Sequence, residues 1–219
     1  MAVVDSQYLF RLIDVGAPGR LSDGGIFKDS AIGKRLEKGE LGFPRAAQLP
    51  ASSKSSPHVF IGDEAFQLRP DFMRPLPGSR TEPKDIVFNY RLSRARRCVE
   101  NAFGILASRW RIYQKTIDLS PKNVDSVIKA TCVLHNFLCL ECNGGDHYCP
   151  PGYADSEDTF GNLREGVWRQ NNAATGMLPI QGTRARKSSQ SAAVVRSVFI
   201  DFFFNEGQVP WQWNQPGIE

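Results

Sequence analysis

The sequence holds no apolar run long enough to cross a bilayer. Its longest candidates, such as VFIDFFF at 198–204, stop far short of the roughly 20 residues a transmembrane helix needs. The N-terminus lacks the charged, apolar and small-residue succession of a secretory signal. Cysteine is sparse and odd in number: Cys98, Cys132, Cys139, Cys142 and Cys149 share no regular spacing. That argues against a secreted disulfide framework and makes reduced intracellular thiols the expectation. Walker and Rossmann glycine spacings are absent; Gly16 and Gly19 of GAPG follow a strand pattern and read as a turn. No motif brings Ser and His together for a nucleophilic triad, and no internal repeat is visible.

Acids are scarce where cations gather. Between Phe88 and Lys115, Glu100 is the single acid among Arg91, Arg94, Arg96, Arg97, Arg109, Arg111 and Lys115. The net charge of +4 decides little beside this clustering. A surface that contacts phosphates needs such a cluster, because each neutralised phosphate releases counterions. A solvated helix face has the same composition, so charge alone does not choose between them.

What is present suffices for one packed core: 41% of the 219 residues are apolar. AVVDS and YLFRLIDVG read as two strands, an antiparallel pair. Ser22 or Asp23 can cap a helix through GIFKDSAIGKRLEKG. Residues 42–57 are rich in Pro and Ser and read as a loop, and HVFIGD at 58–63 reads as a short buried strand. A helix over 85–110 carries the stripe Phe88, Leu92, Ala95, Val99, Phe103, Leu106 and Trp110. A second, over 121–141, starts on a proline and aligns Val124, Ile128, Thr131, Leu134 and Leu138. Residues 142–191 have no periodicity and read as an irregular linker, before a last helix over 192–205.

Two acids stand out by position. Asp63 ends the HVFIGD strand, the edge where sheets with helical crossovers place their ligands. Capping the next turn is its other possible use. Glu100 lies beside the apolar stripe of the long helix, within reach of Arg96 and Arg97, so an intrahelical ion pair competes with a ligand role. Gly104, one turn on, costs a helix about 1 kcal/mol relative to Ala and could admit a metal or a phosphate backbone. His135, Cys139, Cys142, His147 and Cys149 are zinc-ligating types, but their spacing is loose and core packing suits them better. Trp211 and Trp213 read as a packed C-terminal staple.

In order along the chain, VVDSQYLFRLIDVGAPGRLSDGGIF, FIGDEAFQLRPDFMRPLPG, FNYRLSRARRCVENAFGILASRWRI, VIKATCVLHNFL and VPWQW resemble the nuclease domain of PIF/Harbinger transposases and their domesticated relatives. The resemblance covers residues 2–141 and the last helix. It implies an α/β, ribonuclease-H-like fold, a mixed sheet flanked by helices. It also implies three carboxylates that hold two divalent cations, Mg²⁺ or Mn²⁺, for cleavage of DNA phosphodiesters. Asp63 matches the second aspartate of the family, in the Gly-Asp-x-x-aromatic motif kept by IGDEAF, and Glu100 matches the final glutamate, in VENAFG. Arg91, Arg94, Arg96 and Arg97 are the expected phosphate contacts.

The family's first aspartate lies on an earlier strand, in an Asp-Gly-Thr-like motif that has no counterpart here. Asp5 and Asp23 are nearby alternatives, although Asp23 matches a recurrent family aspartate better suited to helix capping. The expected organisation is a partial endonuclease domain over 1–141 without its first strand, a linker over 142–191, and a C-terminal helix and tail over 192–219. Two acids hold a metal pair poorly, so the alternative is a non-catalytic remnant that binds DNA or protein. The resemblance further implies a nuclear protein, present also in the cytoplasm, with a Myb-like DNA-binding partner and no membrane attachment.

Overall fold

The computed structural model describes residues 1–17, 21–141, 147–171 and 188–218. In chain order its elements are β1 (Ala2–Val4), β2 (Phe10–Ile13), α1 (Asp23–Asp29), α2 (Ala31–Glu37), β3 (Ala47–Gln48), β4 (Ser55–Ser56), β5 (Phe60–Ile61), β6 (Phe72–Met73), α3 (Pro83–Arg109), α4 (Pro121–Glu141), β7 (Ser156–Glu157), β8 (Leu163–Arg164), α5 (Trp168–Asn171) and α6 (Gln190–Phe204). The mixed α/β character expected from the sequence is present. Among the described residues the strands pair only two by two, and β5–β6 is the one parallel pair. No helix among them is long and apolar enough to cross a membrane.

The chain divides into two compact units, and α3 runs from one into the other. The first comprises Met1–Leu21, Arg97–Asp158 and Asn162–Ile180. Its β1–β2 hairpin is antiparallel, as expected, and Asp5 organises the turn. The Asp5 carboxylate accepts from the Gln7 and Leu9 N–H groups and pairs with Arg11 at 2.5 Å. These bonds hold Tyr8 at a φ of 65°, a conformation costly for a bulky residue without such support.

Against the hairpin lies α4 with most of the expected face inward: Thr131 is buried and Val124, Ile128 and Leu138 are half-buried, Leu134 being the exception. Its buried residues are Thr131, Cys132 and His135, whereas Leu134 is 44% exposed alongside Val133, Phe137 and Leu140. Polar anchoring sets the rotation. The Asn136 side chain bonds both the N–H and the carbonyl of Phe10, each at 2.9 Å. His135 reaches the Tyr8 carbonyl and the Tyr148 hydroxyl, both at 2.9 Å. A carbonyl can only accept, so Nε2 carries the proton and Nδ1 accepts from Tyr148. His135 is therefore a neutral core tie rather than part of a zinc site; Cys142 lies outside the described residues.

Residues 147–171 were expected to be irregular, yet they fold onto α3 through a polar clamp. The Asn101 side chain donates to the Asp155 carbonyl, and its oxygen accepts from the Asp155 N–H and the Trp168 indole. The Asp155 carboxylate, fully buried, accepts from the Gly166 N–H and from two nitrogens of Arg169. Tyr148 and Tyr153 complete the cluster against Ile105. A clamp built from single polar contacts leaves no apolar periodicity to read. The rest of the 142–191 segment, at 142–146 and 172–187, lies outside the described residues.

The second unit comprises Ser22–Arg96, Thr159–Gly161 and Gln181–Glu219. Its core packs Leu68, Met73, Leu76, Phe88, Leu92 and Ala192, with Val195 and Phe199 of α6 against them. The helix expected through GIFKDSAIGKRLEKG is broken into α1 and α2. Ser30 takes an extended conformation there, and its hydroxyl accepts from the Gly33 N–H at 2.9 Å, capping the second helix as the first ends. The strand expected over 58–63 shrinks to two residues and is covered on one face: Phe60 packs on Phe43 and Phe72, while Ile61 is 42% exposed. Trp211 packs inward, as expected, and donates to the Tyr90 hydroxyl at 2.9 Å.

Burial lowers the His135 pKa, and its bond to the Tyr8 carbonyl only partly opposes this. The unfolded chain therefore takes up a proton, near pH 6.5, that the folded chain refuses. Unfolding free energy from urea titrations should fall as pH drops through about 6.5. His135→Gln should lower stability at pH 7.5 but flatten that dependence; an unchanged slope would contradict the assignment.

Candidate functional site

The turn after β5 positions Asp63. Its Oδ1 accepts from the Ala65 N–H at 2.9 Å and its carbonyl accepts from the Phe66 N–H, so the residue caps its own turn. Oδ2 has no hydrogen bond among the described residues. Gly62 precedes it because Phe66 and Phe72 stack there with centroids 5.0 Å apart. A Cβ on residue 62 would lie 2.6 Å from the Phe72 ring.

The start of α1 comes to the same turn. Ser22 caps the helix by accepting from the Gly25 N–H. Gly24 then passes so close to the turn that a Cβ on it would stand 2.5 Å from the Ala65 carbonyl oxygen. This approach sets the half-buried Asp23 beside Asp63. Burial raises the Asp23 pKa, and the neighbouring Asp63 carboxylate raises it further. Two carboxylates near one another, one with an oxygen unengaged, form a concentration of hard negative oxygens. The glycine doublet of SDGGIF was the sequence signal for it, since glycine marks close backbone approach as well as helix breaking.

Glu100 belongs to the first unit and is exposed on α3. Its surroundings there divide by role. Asn101 is the buried clamp residue, and Gly104 is required by Trp168, whose ring would lie 2.3 Å from a Cβ on residue 104. The gap at Gly104 is thus filled by an indole rather than open to a metal or a phosphate. Packing accounts for Asn101 and Gly104 of VENAFG, and Glu100 has Arg169 as a charged neighbour. Asp5 is consumed by its hairpin turn.

The expected arginine face is largely turned onto the protein. Arg91 donates to the Gly207 carbonyl at 2.6 Å and lies over the Phe203 ring at 4.7 Å. Arg94 stacks over Trp211 at 5.2 Å, and Arg97 pairs with Glu157. Arg96 is half-buried. Among the described residues no group of three or more His, Cys, Asp and Glu side chains is gathered as a metal site.

The segment carrying these features, residues 1–136, matches the family model for the DDE superfamily endonuclease. This chain belongs to that family. The family resemblance drawn from the IGDEAF and VENAFG motifs is thereby shown. Protein ALP1-like of Arabidopsis thaliana is 32% identical over 139 residues, which are 63% of this chain and 34% of that protein. The chain spans about a third of the length of this curated relative. No solved structure matches it. Within the DDE endonuclease segment lie the hairpin, α1, α2, the Asp63 turn, all of α3 and most of α4.

Gly24→Ala should destabilise the protein by about 1–3 kcal/mol, because the new methyl must displace either α1 or the Ala65 carbonyl. Gly25→Ala meets only the Ser22 hydroxyl at 3.2 Å and should cost less than about 1 kcal/mol. Urea denaturation of both variants checks this. Equal effects at the two positions would mean that the close approach at Gly24 is not a constraint.

Proposed function

We propose that the chain carries a divalent-metal-dependent endonuclease site of ribonuclease-H-like type that cleaves DNA phosphodiester bonds. The observation that carries this is the juxtaposition of Asp63 and Asp23 at a position matched to a family carboxylate. Asp63 and Glu100 are the catalytic metal ligands in this reading, with Asp23 beside the first of them. The donor set fits in kind, since carboxylate oxygens are the hard ligands Mg²⁺ and Mn²⁺ require. When bound, such ions polarise the phosphodiester and lower the pKa of an attacking water. The protein contributes orientation: the Ala65 N–H fixes one oxygen of Asp63 and leaves the other for a cation. The Asp23 charge adds to the local negative potential that would draw one in.

The DNA substrate is supported by the family, and phosphate contact by the cation-rich run that includes Arg91, Arg94, Arg96 and Arg97. A Myb-like partner and nuclear location rest on the Harbinger-type resemblance alone. One observation favours the other reading, a non-catalytic DNA- or protein-binding module: among the described residues no three His, Cys, Asp or Glu side chains gather to hold a metal ion.

Nicking of supercoiled plasmid with Mg²⁺ or Mn²⁺ separates the two. Metal-dependent cleavage should fall on the order of 100-fold or more in both Asp63→Ala and Glu100→Ala. DNA binding without cleavage, unchanged by either substitution, would establish the binding module instead.

A further inference from the structure

Within the second unit, three arginines converge at the border of its core. Arg74 follows β6 directly and is only 7% exposed. Its Nη1 donates to the Glu64 carbonyl at 3.0 Å, yet its buried Nε has no partner. Arg80, in the loop before α3, donates to the Pro77 carbonyl, and its Nε is likewise buried without a partner. Arg196 belongs to α6, whose Ala192 is part of the core that includes Met73 and Leu76 and whose Val195 and Phe199 pack against that core. Burial and the charges of Arg74 and Arg80 push the Arg196 pKa down, with Asp85 the single acid opposing them. That acid stands 4.0 Å from Arg80.

The arrangement is short of negative charge and of acceptors. Buried N–H groups ordinarily find an acceptor, and clustered guanidiniums ordinarily find anions. Among the described residues the Nε–H groups of Arg74 and Arg80 are buried without an acceptor, and Asp85, beside Arg80, is the acid acting on Arg196. A guanidinium presents its donors as a planar fork that fits phosphate oxygens in pairs. Arg80 also lines an open groove of about 470 Å³ with Asn89, Tyr90, Ser93 and Gln215.

We propose that Arg74, Arg80 and Arg196 form a phosphate-binding cluster that holds a backbone phosphate of bound DNA. The identity of its ligand rests on the DNA reading above; the cluster itself does not. It also supplies phosphate contacts that Arg91, Arg94 and Arg97 are poorly free to make, being engaged with Gly207, Phe203, Trp211 and Glu157.

The test is fluorescence anisotropy of a labelled DNA duplex over a range of KCl concentrations, in EDTA so that cleavage plays no part. Arg196→Gln and Arg80→Gln, checked for folding by circular dichroism, should each weaken binding several-fold. Each should also lower the slope of log affinity against log salt by about one. Arg196→Lys should restore most of the slope. In a second arm, inorganic phosphate should raise the thermal midpoint of the wild type above that in NaCl of equal ionic strength, and should fail to do so in Arg196→Gln. Folded variants with wild-type affinity, slope and phosphate response would overturn the cluster. A phosphate response lost in the variants while duplex binding is unchanged would mark a small-anion site and overturn the DNA assignment. Because the binding arm contains no metal, loss of the nuclease reading leaves its outcome intact.

Discussion

The helix α1 can begin against the Asp63 turn only because residue 24 has no side chain, since a Cβ there would lie 2.5 Å from a backbone carbonyl. Neither partner in that contact can yield by rotating a side chain: one is helix backbone and the other a turn tightened by its own Asp63 cap. The neighbouring acids inherit this rigidity. Asp23 is the first residue of the helix and Asp63 the first of the turn, so the backbone approach brings the two acids into one neighbourhood. The second glycine requirement, at residue 62, fixes the turn from the other side through the Phe66 and Phe72 rings. Packing of small and aromatic residues thus holds together the two segments that carry Asp23 and Asp63.

The same separation of structural from chemical demands applies along α3. Asn101 and Gly104 are held by the clamp to Asp155 and by Trp168, which explains why the motif contains an amide and a glycine at those places. Glu100 stays on the surface between these constraints.

Periodicity made the hairpin, α3, α4 and α6 legible in the sequence, because each buries a repeating set of apolar side chains or pairs with a neighbouring strand. Rotation about a helix axis was less legible. Leu134 belongs to the apolar stripe of α4 by spacing yet is exposed, while its neighbours His135 and Asn136 are tied to the hairpin by hydrogen bonds. Ser30 broke a helix that residue pattern alone would continue. The order of the 147–171 segment is illegible for a related reason: Asp155, Asn101 and Arg169 fold it through polar contacts without a repeat. At the site, motif spacing marked Asp63 and Glu100, while the partnership of Asp63 with Asp23 needed the third dimension. The arginines fall into two groups. Those on α3 at 91, 94 and 97 engage aromatic rings, a carbonyl and a carboxylate, whereas Arg74, Arg80 and Arg196, distant in sequence, cluster with one acid.

The central issue is whether the acid pair binds a cation. Direct titration of Mn²⁺ into the protein, followed by the loss of the free-ion paramagnetic resonance signal, addresses it without requiring catalysis. Wild-type protein should bind Mn²⁺, and Asp63→Asn and Asp23→Asn should each weaken binding on the order of tenfold or more. Equal Mn²⁺ affinity in all three proteins would contradict the placement of a metal at this turn.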